Sequence, residues 1–190
     1  GDISFFFKPR SVAVIGASAT IGKFGYNIVW NLKQHGFRGK VYPVNPKYKE
    51  VLGYRCYPSL TAIPDEVDLA IIAVPARVVP EIMEQCAEKG VKGVVIVSSG
   101  FSEEGNVELE RRVVEIAKRG RIRIFGPNTT GILNTDNGLI TSFALLPVIK
   151  KGSVSIIAQT GLFHSNGDRS QQLPESGLQQ GRWNGKQGGR

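Results

Sequence analysis

Residues 16–25 combine glycine, serine and lysine in an order that could hold a phosphate group. They read Gly-Ala-Ser-Ala-Thr-Ile-Gly-Lys-Phe-Gly and follow a short apolar run, Ser11–Ile15. Glycines between a strand and a helix let backbone N–H groups approach a phosphate, and the helix N-terminus adds positive potential. A nicotinamide fingerprint would place glycine at 16, 18 and 21, but Ser18 and Ile21 stand there. The segment therefore predicts a phosphate-binding turn not designed for NAD; a plain turn before a helix is the alternative.

A second candidate is Asn45-Pro46-Lys47, which follows the next β-rich run, Lys40–Val44. NAD-binding proteins commonly carry Asp or Glu at this point, where the carboxylate accepts from the ribose hydroxyls. Lys47 would instead attract a phosphorylated ribose, and Pro46 ends the strand and restricts where the lysine points. Together with the glycine turn, this position favours coenzyme A or NADP; a solvated loop lysine is the alternative.

The elements that must position these residues alternate along the chain. Segments with a helical spacing of apolar residues separate the β-rich runs, and several end in glycine, at Gly36, Gly90 and Gly120. The runs are continuously apolar, as expected for strands covered on both faces. The pattern predicts a doubly wound, mostly parallel, Rossmann-like α/β sheet that binds ligands at the carboxyl ends of its strands. The predicted strands are Ser11–Ile15, Lys40–Val44, Asp68–Val74, Gly93–Ser98, Arg121–Phe125 and Ser153–Ala158.

Composition argues against several classes of protein. The chain has 190 residues, 41% of them hydrophobic, and 24 Lys/Arg against 16 Asp/Glu give a net charge of +8. Its longest strongly apolar run, residues 69–74, is far shorter than the roughly 18–20 residues of a membrane span. The N-terminus lacks the order of a signal peptide, and Cys56 and Cys86 are the only cysteines. We therefore expect a cytoplasmic protein without a disulfide framework, a metal site or a membrane partner.

Residues 162–190 differ in composition from the rest of the chain. They are rich in Gln and Gly and follow neither a period of 2 nor one of 3.6. We therefore predict one Rossmann-like domain over 1–161, followed by a tail without a core of its own. One hypothesis is that the tail is a frameshifted reading of the start of a second domain; a native Gln/Gly-rich tail is the alternative.

Five motifs, in order, carry a resemblance to a known family. They are Phe-Phe-Phe-Lys-Pro-Arg-Ser-Val-Ala-Val-Ile-Gly-Ala-Ser at 5–18, Val-Asn-Pro-Lys at 44–47, Asp-Leu-Ala-Ile-Ile-Ala-Val-Pro-Ala at 68–76, Ser-Ser-Gly-Phe at 98–101 and Gly-Pro-Asn-Thr-Thr-Gly-Ile-Leu-Asn at 126–134. Over nearly all of 1–161, the chain resembles the CoA-binding domain of the ADP-forming (NDP-forming) acetyl-CoA and acyl-CoA synthetases. These enzymes are relatives of the succinyl-CoA synthetase α subunit.

The resemblance implies CoA-binding roles at the matching positions. The group expected near the diphosphate is Gly16, Ala17, Ser18, Gly22 and Lys23. The group expected at the adenosine end is Asn45 and Lys47. The group expected along the adenine and pantetheine path is Val74, Pro75, Ala76, Ser99 and Gly100. Asn128 would approach the thiol end and hold an acyl carbonyl or a phosphate, although residues 98–101 and 126–128 also fit plain turns.

The same resemblance implies that catalysis needs further parts. In the family, acyl-CoA, phosphate and ADP exchange with the free acid, CoA and ATP through a phosphohistidine in a second domain, while an ATP-grasp domain or subunit binds the nucleotide. The only histidines, His35 and His164, match no such motif. We therefore expect no catalytic residue and no metal in this chain. It would bind CoA or acyl-CoA and be inactive without the missing synthetase domains or an ATP-grasp partner subunit.

Two other functions compete with this interpretation. A redox or sensor protein binding NADP(H) or NAD(H) would use the same fold, which alone does not decide function. A nucleic-acid partner is suggested only by the basic cluster at 118–123, which no stacking aromatic residue accompanies. We therefore expect no nucleic acid as partner.

Overall fold

The chain folds around a parallel sheet in a computed structural model that describes residues 2–153, 155 and 157. Its strands, in chain order, are β1 (Ser11–Ile15), β2 (Lys40–Val44), β3 (Glu50–Val51), β4 (Tyr54–Arg55), β5 (Leu69–Ile72), β6 (Gly93–Ile96), β7 (Arg123–Phe125), β8 (Leu133–Asn134) and β9 (Leu139–Ile140). Five of them form the central sheet in the order β2-β1-β5-β6-β7, and every neighbouring pair is parallel. Two antiparallel hairpins, β3–β4 and β8–β9, lie outside it. The predicted parallel α/β sheet is confirmed.

Three helices cover the two faces of this sheet. They are α1 (Phe24–Gln34), α2 (Val79–Lys89) and α3 (Val107–Gly120). Buried side chains of α1 pack with Val12 and Val14 of β1, whereas those of α2 and α3 pack in a second cluster with Ala13 and Ile15. Alternate residues of one strand thus enter opposite cores, which explains why the strand sequences are continuously apolar.

The ends of several elements differ from the predicted bounds. Strands β5 and β6 each end two residues earlier than predicted, and β7 begins two residues later. Gly120 was predicted to lie beyond its helix but is the last residue of α3, because Arg121 adopts the left-handed conformation (φ 54°) that ends the helix. Residues 153, 155 and 157 of the predicted sixth strand lie in no strand. The rest of that strand, the proposed boundary at 161 and the tail 162–190 fall outside the described residues.

A segment after β9, residues 142–147, forms hydrogen bonds with side chains of α1. Asn31, which is fully buried, donates from Nδ2 to the carbonyl oxygens of Ser142 and Ala144 at 2.8 and 2.7 Å. Its Oδ1 accepts from the backbone N–H of Leu146 at 3.2 Å. One buried asparagine therefore satisfies three backbone groups of residues 142–147. We call this segment the strap.

Asp68, just before β5, forms an ion pair at the amino edge of the sheet. The backbone N–H of Arg10 donates to its Oδ2 at 2.8 Å, and the guanidinium donates to both carboxylate oxygens at 3.1 and 3.2 Å. These donors, the guanidinium first, hold the pKa of Asp68 below its ordinary value of 3.8 although burial opposes the shift. A carboxyl whose pKa is lower in the folded than in the unfolded state stabilises the fold above the ordinary pKa, and this contribution is lost as pH falls.

We expect thermal stability to fall as pH is lowered from 5 towards 2, partly through Asp68. Asp68→Asn should lower the melting temperature at pH 7 and lose less stability on acidification than the unmodified chain. Thermal unfolding followed by circular dichroism across this pH range measures both effects. Glu66→Gln is the control, because the Glu66 side chain is 90% exposed and its contact with Arg10 is 3.5 Å long. Equal acid sensitivity in the chain and in Asp68→Asn would contradict the assignment.

In the described part of the chain, no helix is long and apolar enough to cross a membrane. Within the same residues, no three His, Cys, Asp or Glu side chains are grouped as a metal site would require.

Candidate functional site

The carboxyl ends of β1, β2 and β5 surround a cavity of about 250 Å³. Helix α2 and the loop after β4 complete its walls. The lining residues are Ile15, Gly16, Val44, Asn45, Pro46, Pro58, Ser59, Val74, Val78, Glu81, Ile82 and Gln85. The cavity is smaller than the roughly 300–1,000 Å³ typical of pockets that enclose a whole drug-sized ligand. It therefore has room for a group smaller than a whole drug-sized ligand.

The turn after β1 requires glycine at two positions for different reasons. Gly16 has φ +87°, and a Cβ there would lie 2.5 Å from the carbonyl oxygen of Ala73 after β5. Gly25, in the first turn of α1, has no such backbone constraint, but its Cβ would overlap the Gly16 carbonyl oxygen and approach Cα of Ala17 to 2.8 Å. Glycine at these two positions thus lets the N-terminus of α1 sit directly against the turn.

The N-terminus of α1 carries backbone donors that no side chain among the described residues satisfies. Lys23 precedes the helix in an extended conformation and provides no side-chain cap, and the first turn contains no acidic residue. The first N–H groups of a helix lack partners within it and carry partial positive charge. An 11-residue helix that begins this way beside a glycine turn favours an anion at this end.

Ser18 is buried and supports the shape of the turn. Its Oγ accepts from the backbone N–H of Thr20 at 3.0 Å and lies 3.5 Å from the Tyr48 hydroxyl oxygen. The interaction with Ser18 lowers the pKa of Tyr48 from its ordinary value, with a further contribution from Thr20. Ser18 is therefore already engaged with the protein. Gly22, by contrast, lies in the exposed part of the turn, and Lys23 is exposed as well.

Asn45 connects the turn after β1 to the loop after β2. Its Nδ2 donates to the carbonyl oxygen of Ala17 at 2.7 Å, and its Oδ1 accepts from the backbone N–H of Lys47 at 2.9 Å. One side chain thus links the backbone of the glycine turn to the backbone of Lys47. Lys47 itself is exposed and forms no ion pair with any described residue.

The remaining predicted positions lie at the ends of β5, β6 and β7. Ser98 Oγ donates to the Val74 carbonyl oxygen at 2.5 Å, and the Ser98 carbonyl accepts from the backbone N–H of Asn128 at 3.0 Å. Asn128 is exposed and has φ +51°, a conformation that asparagine tolerates. Ser98, which was not among the candidate site residues, thus links three strand ends through its side chain and backbone.

Gly100 belongs to a small loop organised by Glu103. The Glu103 carboxylate accepts from the backbone N–H groups of Gly100 at 2.8 Å and Phe101 at 3.2 Å. Burial alone would raise the pKa of Glu103, but these backbone donors outweigh it and leave the pKa below its ordinary value. Ala76 lies on the facing side, 3.2 Å from where a Cβ of Gly100 would stand. Ser99 and Pro75 are exposed at the same edge.

The predicted residues therefore fall into two groups at the carboxyl edge. Gly16, Asn45 and Val74 line the cavity, whereas the other ten candidates lie outside its wall. Sequence reasoning missed Pro58, Ser59, Glu81, Ile82 and Gln85, which also line it. The sequence held one signal for two of these five residues: Glu81 and Gln85 are four positions apart, which places both on one face of a helix.

The two described cysteines and the described histidine have surroundings that differ in kind. Burial raises the pKa of the Cys86 thiol to about 12 and also raises the pKa of Cys56, so neither favours a thiolate. His35 caps the end of α1, where Nδ1 lies 2.9 Å from the Asn31 carbonyl oxygen and Nε2 lies 3.0 Å from that of Pro147. His164 lies outside the described residues.

This chain is similar to known proteins in sequence and in fold. Acetate–CoA ligase [ADP-forming] II of Archaeoglobus fulgidus is 70% identical over 164 residues, which make up 85% of this chain and 24% of the relative. The alpha subunit of acetate–CoA ligase [ADP-forming] II of Pyrococcus furiosus is 49% identical over 84% of this chain and 35% of the subunit. The chain therefore spans about a quarter to a third of the length of these relatives.

A solved structure is also similar to this chain. Acetyl-coenzyme A synthetase 1 of Ca. Korarchaeum cryptofilum, determined with phosphate and ADP, superposes with a TM-score of 0.73 at 42% identity, over 75% of this chain and 31% of that one. Residues 10–135 match the family described as CoA binding domain, and this match includes β1 to β8 and both groups of candidate residues. The chain belongs to the CoA-binding domain family.

Proposed function

We propose that this chain binds CoA or acyl-CoA along the carboxyl edge of its sheet and serves as the CoA-binding part of an ADP-forming acyl-CoA synthetase. The observation that carries the proposal is the hydrogen-bonded bridge from Ala17 through Asn45 to Lys47. It holds the backbone of the glycine turn close to the backbone of Lys47, whose side chain forms no ion pair with a described residue. CoA carries a diphosphate and a separate ribose phosphate, so it can use both.

The positive charges along the carboxyl edge indicate where each part of CoA would lie. The diphosphate would lie against the turn at Gly16–Ser18 and the uncapped N-terminus of α1, with Gly22 and Lys23 beside it. The ribose 3′-phosphate would lie near Lys47. Pantetheine would then continue past Val74, Pro75 and Ala76 towards Ser99, Gly100 and Asn128.

The acid–thiol ligation itself would be completed by parts that these residues do not supply. The relatives from Archaeoglobus and Pyrococcus are ADP-forming acetate–CoA ligases of which the chain matches only a portion. We propose that a phosphohistidine-bearing domain and an ATP-grasp domain or subunit act on the CoA held here. Acetate is the acid suggested by these relatives, and acetyl-CoA the corresponding thioester.

Calorimetric titration of the purified chain with CoA, NADP and NAD tests the proposal. CoA should bind more tightly than NADP, and NAD most weakly. NADP also carries a diphosphate and a ribose phosphate, so it is the informative competitor. Tighter binding of NADP than of CoA would establish a redox or sensor protein instead.

A further inference from the structure

We propose that Glu81 and Gln85 of α2 read the adenine base of the bound nucleotide by accepting from its 6-amino group and donating to a ring nitrogen. The inference rests on the proposed binding of CoA and names two specificity-determining residues that the sequence motifs do not include. Both side chains line the cavity at the ends of β1, β2 and β5.

The volume and lining of the cavity fit an aromatic base better than the phosphates of CoA. Its apolar wall is built by Ile15, Val44, Val74, Val78 and Ile82. A volume of about 250 Å³ is too small for the whole cofactor. An apolar slot with a few polar groups at one side is the usual environment of an aromatic ring that must be oriented.

The charge of the α2 side of the cavity is unfavourable for a phosphate. Glu81 is exposed in the first turn of α2 and forms no ion pair or hydrogen bond with a described residue. An unpaired carboxylate in the wall repels phosphates and attracts hydrogen-bond donors. Within the adenosine part of CoA, the strongest donor on the base is the 6-amino group. The phosphates instead have Lys47 and the N-terminus of α1 outside the cavity.

Gln85 is held in a defined orientation by the main chain. Its Oε1 accepts from the backbone N–H of Leu60 at 3.3 Å, and its Nε2 has no hydrogen-bond partner among the described residues. The amide therefore offers a donor rather than an acceptor to the cavity. Gln85 follows Glu81 by four positions, so the two side chains share one face of α2. An acceptor and a donor side by side match the amino group and adjacent ring nitrogen of adenine.

The test compares CoA with its hypoxanthine analogue, in which a carbonyl oxygen replaces the 6-amino group without adding bulk. We expect the chain to prefer CoA by roughly tenfold or more, because the analogue sets an oxygen against the Glu81 carboxylate and a ring N–H against the Gln85 donor. In Glu81→Gln the preference should shrink several-fold, because a glutamine amide can donate to the new oxygen. Glu88→Gln, on the same helix but outside the cavity wall, is the matched control.

The outcomes distinguish a failure of adenine recognition from a failure of CoA binding. Equal affinity of the unmodified chain for CoA and the analogue, or an unchanged preference in Glu81→Gln, would overturn base reading while leaving CoA binding intact. No binding of CoA at all would overturn both. Titration with dephospho-CoA reports on the phosphate end, and the loss it causes should be the same in Glu81→Gln as in the unmodified chain. A changed loss would show that Glu81 acts on the whole site and contradict its assigned role.

Discussion

Gly25→Ala is expected to abolish measurable CoA binding and to lower the melting temperature by roughly 10 °C. The added Cβ would overlap the carbonyl oxygen of Gly16 and approach its carbonyl carbon to 2.7 Å. Both obstacles are backbone atoms, which no change of rotamer can move. Adding atoms to a packed site typically costs about 1–3 kcal/mol and sometimes more. The gain in helix propensity, at most about 1 kcal/mol, cannot offset this cost.

The effect on binding follows from where the strain is relieved. To accommodate the Cβ, α1 must move away from the turn after β1, and its N-terminus then no longer faces the proposed diphosphate. Gly152→Ala is the control, because a Cβ at Gly152 meets no atom within 4 Å. Thermal unfolding and CoA titration should leave that variant unchanged. A stable Gly25→Ala that binds CoA normally would show that the close contact is unimportant.

Asn31→Leu is expected to destabilise the fold by about 2–4 kcal/mol, since each buried polar group left without a partner costs roughly 1–3 kcal/mol. The carbonyl oxygens of Ser142 and Ala144 would lose a donor, and the backbone N–H of Leu146 would lose its acceptor. Leucine has the same number of side-chain heavy atoms and the same branching at Cγ as asparagine, so the lost hydrogen bonds should dominate.

The strap should become the first part of this variant to open. Limited proteolysis should therefore cut Asn31→Leu within residues 142–147 well before it cuts the unmodified chain, and thermal unfolding should show the lower stability. Gln34→Leu makes the matching change at an exposed position of the same helix and should behave like the unmodified chain. If the two variants unfolded alike, Asn31 would not be what holds the strap.

The parallel sheet could be predicted from sequence because its signal is local. β5 and β6 are continuous apolar runs, and both faces of β1 are buried, with Val12 and Ala13 in opposite cores. The ends of the elements were predicted less well. Arg121 ends α3 in a conformation usually taken by glycine, so the glycine one residue earlier gave a misleading signal.

The candidate site was only partly accessible to sequence reasoning. The strand-end rule and the family resemblance together predict thirteen candidates, which follow strands of the central sheet at its carboxyl edge. They could not reveal that Gly25 packs against Gly16, because that contact depends on the path of the whole turn. Nor could they find Glu81 and Gln85, which reach the cavity from the side of α2, nine and 13 residues beyond the end of β5.

The most direct test of CoA recognition is the coupling between Lys47 and the ribose 3′-phosphate. Calorimetry should measure the affinities of the unmodified chain and of Lys47→Met for both CoA and dephospho-CoA. Lys92→Met is the control, since Lys92 is exposed at the opposite edge, just before β6. We predict that removing the phosphate weakens binding about tenfold or more in the unmodified chain and in Lys92→Met. In Lys47→Met, CoA and dephospho-CoA should bind almost equally. The same loss on removing the phosphate in all three proteins would contradict the account, because the lysine would then not be what recognises CoA.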